Sequence, residues 1–130
     1  MPQYEDVGDG NLGPMTTLKI AKPRGKLADF TCERAVLDTG SPWTYIPKTV
    51  QEDLGLPVIR KMTVTGVEGR SKTIDVCEAD LTLTGPEFGR REFLTHHVCI
   101  YELSVVLIGR DLLGHFVVVF DGPAQAWRVI

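Results

Sequence analysis

From Thr16 onward the sequence is cut every few residues by Gly, Pro, Asp or Ser, and the pieces between the cuts are short, apolar and rich in β-branched residues. No stretch keeps a helical period beyond about two turns, so the apolar side chains can be buried only by pairing strands. An all-β domain is expected. Thr17–Ile20 and Leu27–Cys32 flank the turn Lys22-Pro23-Arg24-Gly25-Lys26 and read as a hairpin, with Arg34–Leu37 as a third strand. Lys48–Leu54 is the clearest helical piece, with Pro47 at its start and Gly55 just past its end. Apolar residues alternate about a glycine-bearing centre over Met62–Val76, which predicts a second hairpin, and Asp80–Thr84 and Phe93–Ile100 follow as strands. The continuous run Val105–Ile108 suggests a strand covered on both faces. Asp111 is placed to cap a short helix carrying Leu112, Leu113 and Phe116, and Val117–Phe120 and Trp127–Ile130 flank an Asp121-Gly122-Pro123 turn.

A chain of 130 residues can bury one core. Residues 1–14 hold Pro2, Gly8, Gly10, Gly13 and Pro14 with few apolar side chains, which predicts a flexible arm and leaves residues 15–130 as a single domain. The net charge of -3 and the scattering of the basic residues argue against nucleic acid as a partner. No apolar run approaches the ~20 residues of a membrane-spanning helix, so no membrane partner is expected. Cys32, Cys77 and Cys99 are odd in number and lack any C-x-x-C spacing, which fits neither a disulfide framework nor a cysteine zinc site. With no secretory or transit signal readable in MPQYEDVGDGNLGPMTT, a cytoplasmic location is expected.

The chemistry-bearing segment is Leu37-Asp38-Thr39-Gly40-Ser41. A carboxylate directly after a buried strand loses solvation, and it stays ionised only if hydroxyl and amide donors surround it. Thr39, Gly40 and Ser41 supply such donors. Taken alone, the triplet is better explained by a turn at a strand end than by catalysis. A weak internal echo is also visible, because Ala35–Gly40 and Val106–Asp111 are both apolar strands that run into a glycine before a short helix.

Together, Asp38-Thr39-Gly40-Ser41, the glycine-bearing hairpin at Gly66–Gly69 and Leu107-Ile108-Gly109-Arg110-Asp111-Leu112-Leu113 resemble the single-domain aspartic proteases of the retropepsin type over about residues 16–122. The resemblance implies a closed, barrel-like all-β domain with one or two short helices. It also implies a homodimer acting on a peptide or protein substrate, since one chain carries a single Asp-Thr-Gly motif. By position it makes Asp38, Thr39 and Gly40 catalytic: Asp38 activates water with its symmetry mate, Thr39 braces the two loops, and Gly40 offers its carbonyl to the substrate backbone. Ser41 would bond the carboxylate and favour activity on the acidic side of neutral. Gly66, Val67 and Gly69 would belong to a flap over the substrate, while Val105 and Leu107 would line side-chain pockets, with Trp43 and Tyr45 adding apolar surface. No metal or cofactor is implied. The alternative is a non-catalytic dimerisation or peptide-binding module on the same scaffold.

The sequence departs from the retroviral pattern in two places. Pro42 and Trp43 stand where an acidic partner for the motif arginine is usual, so Arg110 is expected to turn to Asp111 or to a residue across the dimer. Glu68 puts a charge at the hairpin tip, where retroviral flaps are mostly glycine and apolar. His96-His97-Val98-Cys99 offers ligand atoms without the second spaced pair a zinc site needs, and surface histidines beside a buried cysteine are expected instead. His115 reads as an exposed or helix-end residue.

Overall fold

The computed structural model describes residues 2–8, 10–24, 29–66 and 68–130. Among these residues eleven strands and two short α-helices follow in the order β1 (Glu5–Asp6), β2 (Leu12–Gly13), β3 (Met15–Ala21), β4 (Asp29–Leu37), β5 (Tyr45–Pro47), α1 (Lys48–Leu54), β6 (Val58–Thr65), β7 (Ser71–Leu83), β8 (Arg91–Tyr101), β9 (Leu107–Ile108), α2 (Arg110–Leu113), β10 (Val118–Asp121) and β11 (Ala126–Val129). The main sheet runs β3-β4-β9-β5-β8-β7-β6, and β7 also pairs with β3, so six strands form a closed circuit with β6 outside it. Closure leaves few free edges and encloses one core. Leu18, Ile20, Leu81, Leu83, Val98, Ile108, Leu112 and Trp127 are fully buried there. A second, smaller cluster of Ile74, Val76 and Cys99 packs with Tyr45, Met62 and Val64 under the β6–β7 hairpin.

Several elements are longer or shorter than the sequence pattern indicates. Arg34–Leu37 continues the preceding strand as β4 rather than forming a third one, because pairing with β3 carries through the polar stretch between them. The 22–26 turn and the start of that strand lie partly outside the described residues. Likewise Asp80–Thr84 is the far end of β7, which pairs first with β6 and then with β3 while β8 runs along its other edge. Of the apolar run 105–108, only Leu107–Ile108 is strand.

Helix α1 ends where its sequence says it should. Gly55 closes it at φ 65°, and its amide donates to the Glu52 carbonyl oxygen. No atom approaches within 4 Å of a Cβ built there, so Gly55→Ala meets only the backbone cost of a left-handed conformation, ~1 kcal/mol. Urea denaturation should show that loss with an unchanged slope.

The first fourteen residues, which the sequence predicts as a flexible arm, are held by backbone pairing in their described part. Tyr4 N–H donates to the Gln125 carbonyl oxygen at 2.7 Å, Trp127 N–H donates to Pro2, and Gln3 bridges Ala126. β1 pairs with β2, and the Asp6 carboxylate accepts from the amides of Gly8 and Gly10. Backbone amides secure this segment, together with Tyr4, which packs half-buried against the core. The C-terminal residues fold back as well, with β11 antiparallel to β10. Among the described residues, no helix is long and apolar enough to cross a membrane.

Candidate active site

Strands β4 and β9 lie parallel, with Val36 beside Leu107 and Leu37 beside Ile108, so the two echoing motifs emerge from the sheet together. The Asp38 amide donates to the Ile108 carbonyl oxygen at 2.8 Å and the Arg110 amide to the Ser41 carbonyl oxygen at 2.8 Å. These cross-bonds force the loop after β4 to double back beside α2. Its turn is closed by Ser41 N–H on the Asp38 carbonyl oxygen at 3.2 Å, and Gly40 N–H donates to Asp38 Oδ1 at 3.0 Å. Asp38 is half-buried, and Thr39 and Gly40 are exposed.

Ser41 does not bond the carboxylate here. Its hydroxyl donates to the Trp43 carbonyl oxygen at 2.6 Å, because the loop turns its buried side chain toward the next residues. The expected acidic activity therefore loses that support. Within the chain Arg110 turns not to Asp111 but to the loop backbone; its Nη1 donates to the Thr39 carbonyl oxygen at 2.7 Å, which lets a cation hold the loop.

Asp111 has a larger part than capping. Gly109, not Asp111, occupies the helix N-cap. Asp111 Oδ1 accepts from Thr44 Oγ1 at 2.8 Å and from the Leu112 amide at 3.0 Å, while Oδ2 lies 3.0 Å from the Thr44 amide and 2.9 Å from His96 Nε2. Burial would raise the Asp111 carboxyl, but the bonds from His96 and Thr44 outweigh it and hold the group below its usual value. The unfolded chain then binds more protons in acid than the folded one, so this contribution to stability is complete above about pH 4 and is lost as pH falls through the folded value. Urea midpoints measured downward from about pH 5 should fall less steeply for Asp111→Asn than for wild type.

Leu107 lies beside this loop, half-buried, facing Val36 on one side and Tyr45 on the other. The Val105 carbonyl oxygen accepts from the Tyr101 hydroxyl, and the Tyr45 and Tyr101 rings lie 5.3 Å apart. Burial, then the negative charges of Asp38 and Cys32, push the Tyr101 hydroxyl up to about 12, so it remains a donor at neutral pH. Trp43 is 38% exposed beside the loop.

Gly66 and Gly69 sit on the β6–β7 turn, which is closed by Gly69 N–H on the Gly66 carbonyl oxygen and Gly66 N–H on that of Arg70, each at 3.0 Å. Val67 lies outside the described residues, and Glu68 is exposed. The bonds that close the turn lie within it, with the Thr65 and Ser71 hydroxyls 3.1 Å apart at its base.

Residues 25–112 match the family model described as aspartyl protease. The chain belongs to the aspartyl protease family. Its fold is retropepsin-like: EIAV protease complexed with the inhibitor HBY-793 is 18% identical and superposes over 85% of this chain and 93% of its own, with a TM-score of 0.56. The retroviral protease-like domain of Ddi1 from Leishmania major is also 18% identical, over 88% of this chain and 87% of its own, with a TM-score of 0.49. No curated protein sequence matches the chain significantly.

Within the family motif, the sequence singles out the residues of the loop but not those that hold it. Thr44 and Tyr101 carry no such mark, and His96 is marked only as a surface histidine of the His96-His97-Val98-Cys99 run. A buried hydroxyl is the only signal Thr44 carries, and its partner Asp111 is 67 positions away. His96 is not a surface histidine, since its side chain is only 21% exposed, whereas that of His97 is 47% exposed at 3.9 Å from Glu78. His115 is exposed, with its ring 5.2 Å from that of Phe93.

Proposed function

We propose that the protein is a homodimeric aspartic endopeptidase in which the two Asp38 carboxyls, one per subunit, activate water against an extended peptide. The observation that carries this reading is the solitary Asp38-Thr39-Gly40 loop, strapped to β9 and α2 in a chain of the aspartyl protease family. Hydrolysing an amide by direct attack of water needs a base for the water proton and an acid for the carbonyl oxygen and leaving nitrogen. One carboxyl cannot be both at once. Two held close share a single proton, because like charges at short range cannot both ionise. The ionised member takes a proton from water as its oxygen bonds the carbonyl carbon, and the protonated member donates to the carbonyl oxygen. When the C–N bond breaks, the nitrogen leaves with a proton from the pair.

The monomer surface supports a second copy as the partner. An apolar groove of about 240 Å³ next to the loop is lined by Thr39, Arg110, Leu113, Phe116, Val118 and Phe120. Among the described residues, the outer edge of β10 pairs with no strand, and an unpaired edge is a template for another chain. A two-fold axis there brings the two Thr39 residues together and sets the Asp38 carboxyls face to face. The β6–β7 hairpin then acts as the flap, and Val105, Leu107 and Tyr45 supply apolar subsites. Gly40 stands exposed beside Asp38 and offers its carbonyl to the peptide backbone.

Because each active site needs two chains, the initial rate of cleavage of a peptide library should rise with the square of protein concentration below the dimer dissociation constant and linearly above it. Sedimentation on the same samples should show the monomer–dimer transition in that range. A rate linear in concentration where the protein is wholly monomeric would refute the shared site. Tight peptide binding with no product would favour the non-catalytic module.

A further inference from the structure

We propose that His96 is a positioning residue for this reaction: by bonding Asp111 it holds a strap, running through Thr44 to Gly109, that fixes the loop carrying Asp38. The inference rests on the protease reading for its kinetic consequence but not for the strap itself.

A carboxylate only accepts, so each Asp111 contact requires a hydrogen on the other atom, and His96 Nε2 must carry one. Four donors then fill both oxygens: Thr44 Oγ1 and the Leu112 amide on Oδ1, the Thr44 amide and His96 Nε2 on Oδ2. Thr44 Oγ1, having given its hydrogen to Asp111, accepts the Gly109 amide at 3.2 Å. Thr44 is fully buried and the Asp111 side chain is only 10% exposed, so water is a poor substitute for any missing donor. The chain continues in both directions from this point. Gly109 is bracketed by Ile108, whose carbonyl oxygen takes the Asp38 amide, and by Arg110, which holds the carbonyl oxygens of Ser41 and Thr39. Among the described residues, His96 is the one donor on the Asp111 carboxylate that comes from neither the loop nor α2; it stands on β8, opposite Ala79 of β7. It therefore ties the strap to β8 of the closed circuit of strands. The Phe93 ring stands edge-on to it with its centre 6.1 Å away.

The experiment compares wild type, His96→Ala and His96→Gln by peptide hydrolysis, with kcat and KM measured separately, and by amide hydrogen exchange on each intact protein. Gln places an amide nitrogen near the Nε2 position and is a neutral donor. Expected for His96→Ala is a kcat lower by ~10- to 100-fold with KM within about twofold, since misplacing the carboxyl harms the chemical step more than binding. Exchange at the Thr44 and Gly109 amides should speed up at least about tenfold while β7 and β8 amides stay protected. His96→Gln should recover most of both. An unchanged kcat in His96→Ala, no recovery in His96→Gln, or exchange that quickens evenly across the whole sheet would overturn the proposal. Should wild type cleave no peptide, the protease reading fails, and the exchange data alone still decide for or against the strap.

Discussion

Asp38→Asn is expected to abolish peptide cleavage, lowering kcat by at least ~1,000-fold, while the fold and the dimer persist. The substitution keeps the side chain's shape, and an amide oxygen can still accept the Gly40 N–H that now lies 3.0 Å from Oδ1. The loop's other bonds, the backbone ones from Asp38 to Ile108 and from Arg110 to Ser41 and the side-chain ones from Arg110 to Thr39 and from Ser41 to Trp43, do not involve the Asp38 carboxyl. What disappears is the ability to ionise and to share a proton, and it disappears from both halves of each dimer at once. Urea midpoints should therefore stay within about 0.5 kcal/mol of wild type, and sedimentation should be unaltered. Mixing the variant with wild type should inhibit, because each heterodimer has one working carboxyl. Cleavage by the pure variant above a tenth of the wild-type rate would remove Asp38 from the mechanism.

The legible and illegible parts of this molecule differ in physical kind. Strand periodicity, the α1 boundaries and the Asp38 loop are local features, set by residues within a few positions, and the sequence pattern locates them well. The long β4 and β7 are harder to read because strand length depends on partners: β7 continues as strand through Asp75, Glu78 and Asp80 since β6, β3 and β8 all pair along it. The ordering of residues 2–6 was invisible for a similar reason, as backbone amides have no sequence signature and Tyr4 meets Gln125 only once the chain has folded. At the site, Asp38 announced itself, whereas the partner of Arg110 did not. With Pro42 and Trp43 in place of an acid, the guanidinium turned to a backbone carbonyl, which any residue can provide. The His96–Asp111–Thr44 cluster joins three segments by side chains that each have an ordinary local explanation.

Gly109→Ala is expected to be the most damaging change outside the carboxyl itself. A Cβ at Gly109 would stand 2.2 Å from the Trp43 carbonyl oxygen, 2.5 Å from its carbon and 2.9 Å from the Ser41 carbonyl oxygen. All three are backbone atoms of the Asp38 loop, so no side-chain rotation relieves the overlap. Nor can Gly109 withdraw, because its amide is bonded to the buried Thr44 hydroxyl and its neighbours hold Asp38 and Ser41. Either the loop moves away from α2 or the strap breaks, and both displace Asp38. A loss of ~3 kcal/mol or more in urea stability follows from overpacking at a site that cannot relax. Activity should fall at least ~100-fold in whatever fraction remains folded, through misplacement of the carboxyl. Gly122→Ala is the control, since no atom lies within 4 Å of its Cβ position and it is remote from the loop in sequence. It should unfold within about 0.5 kcal/mol of wild type. Equal stability and equal cleavage in the two alanine variants would mean that the loop and α2 do not approach this closely and that the contact at Gly109 does not aim Asp38.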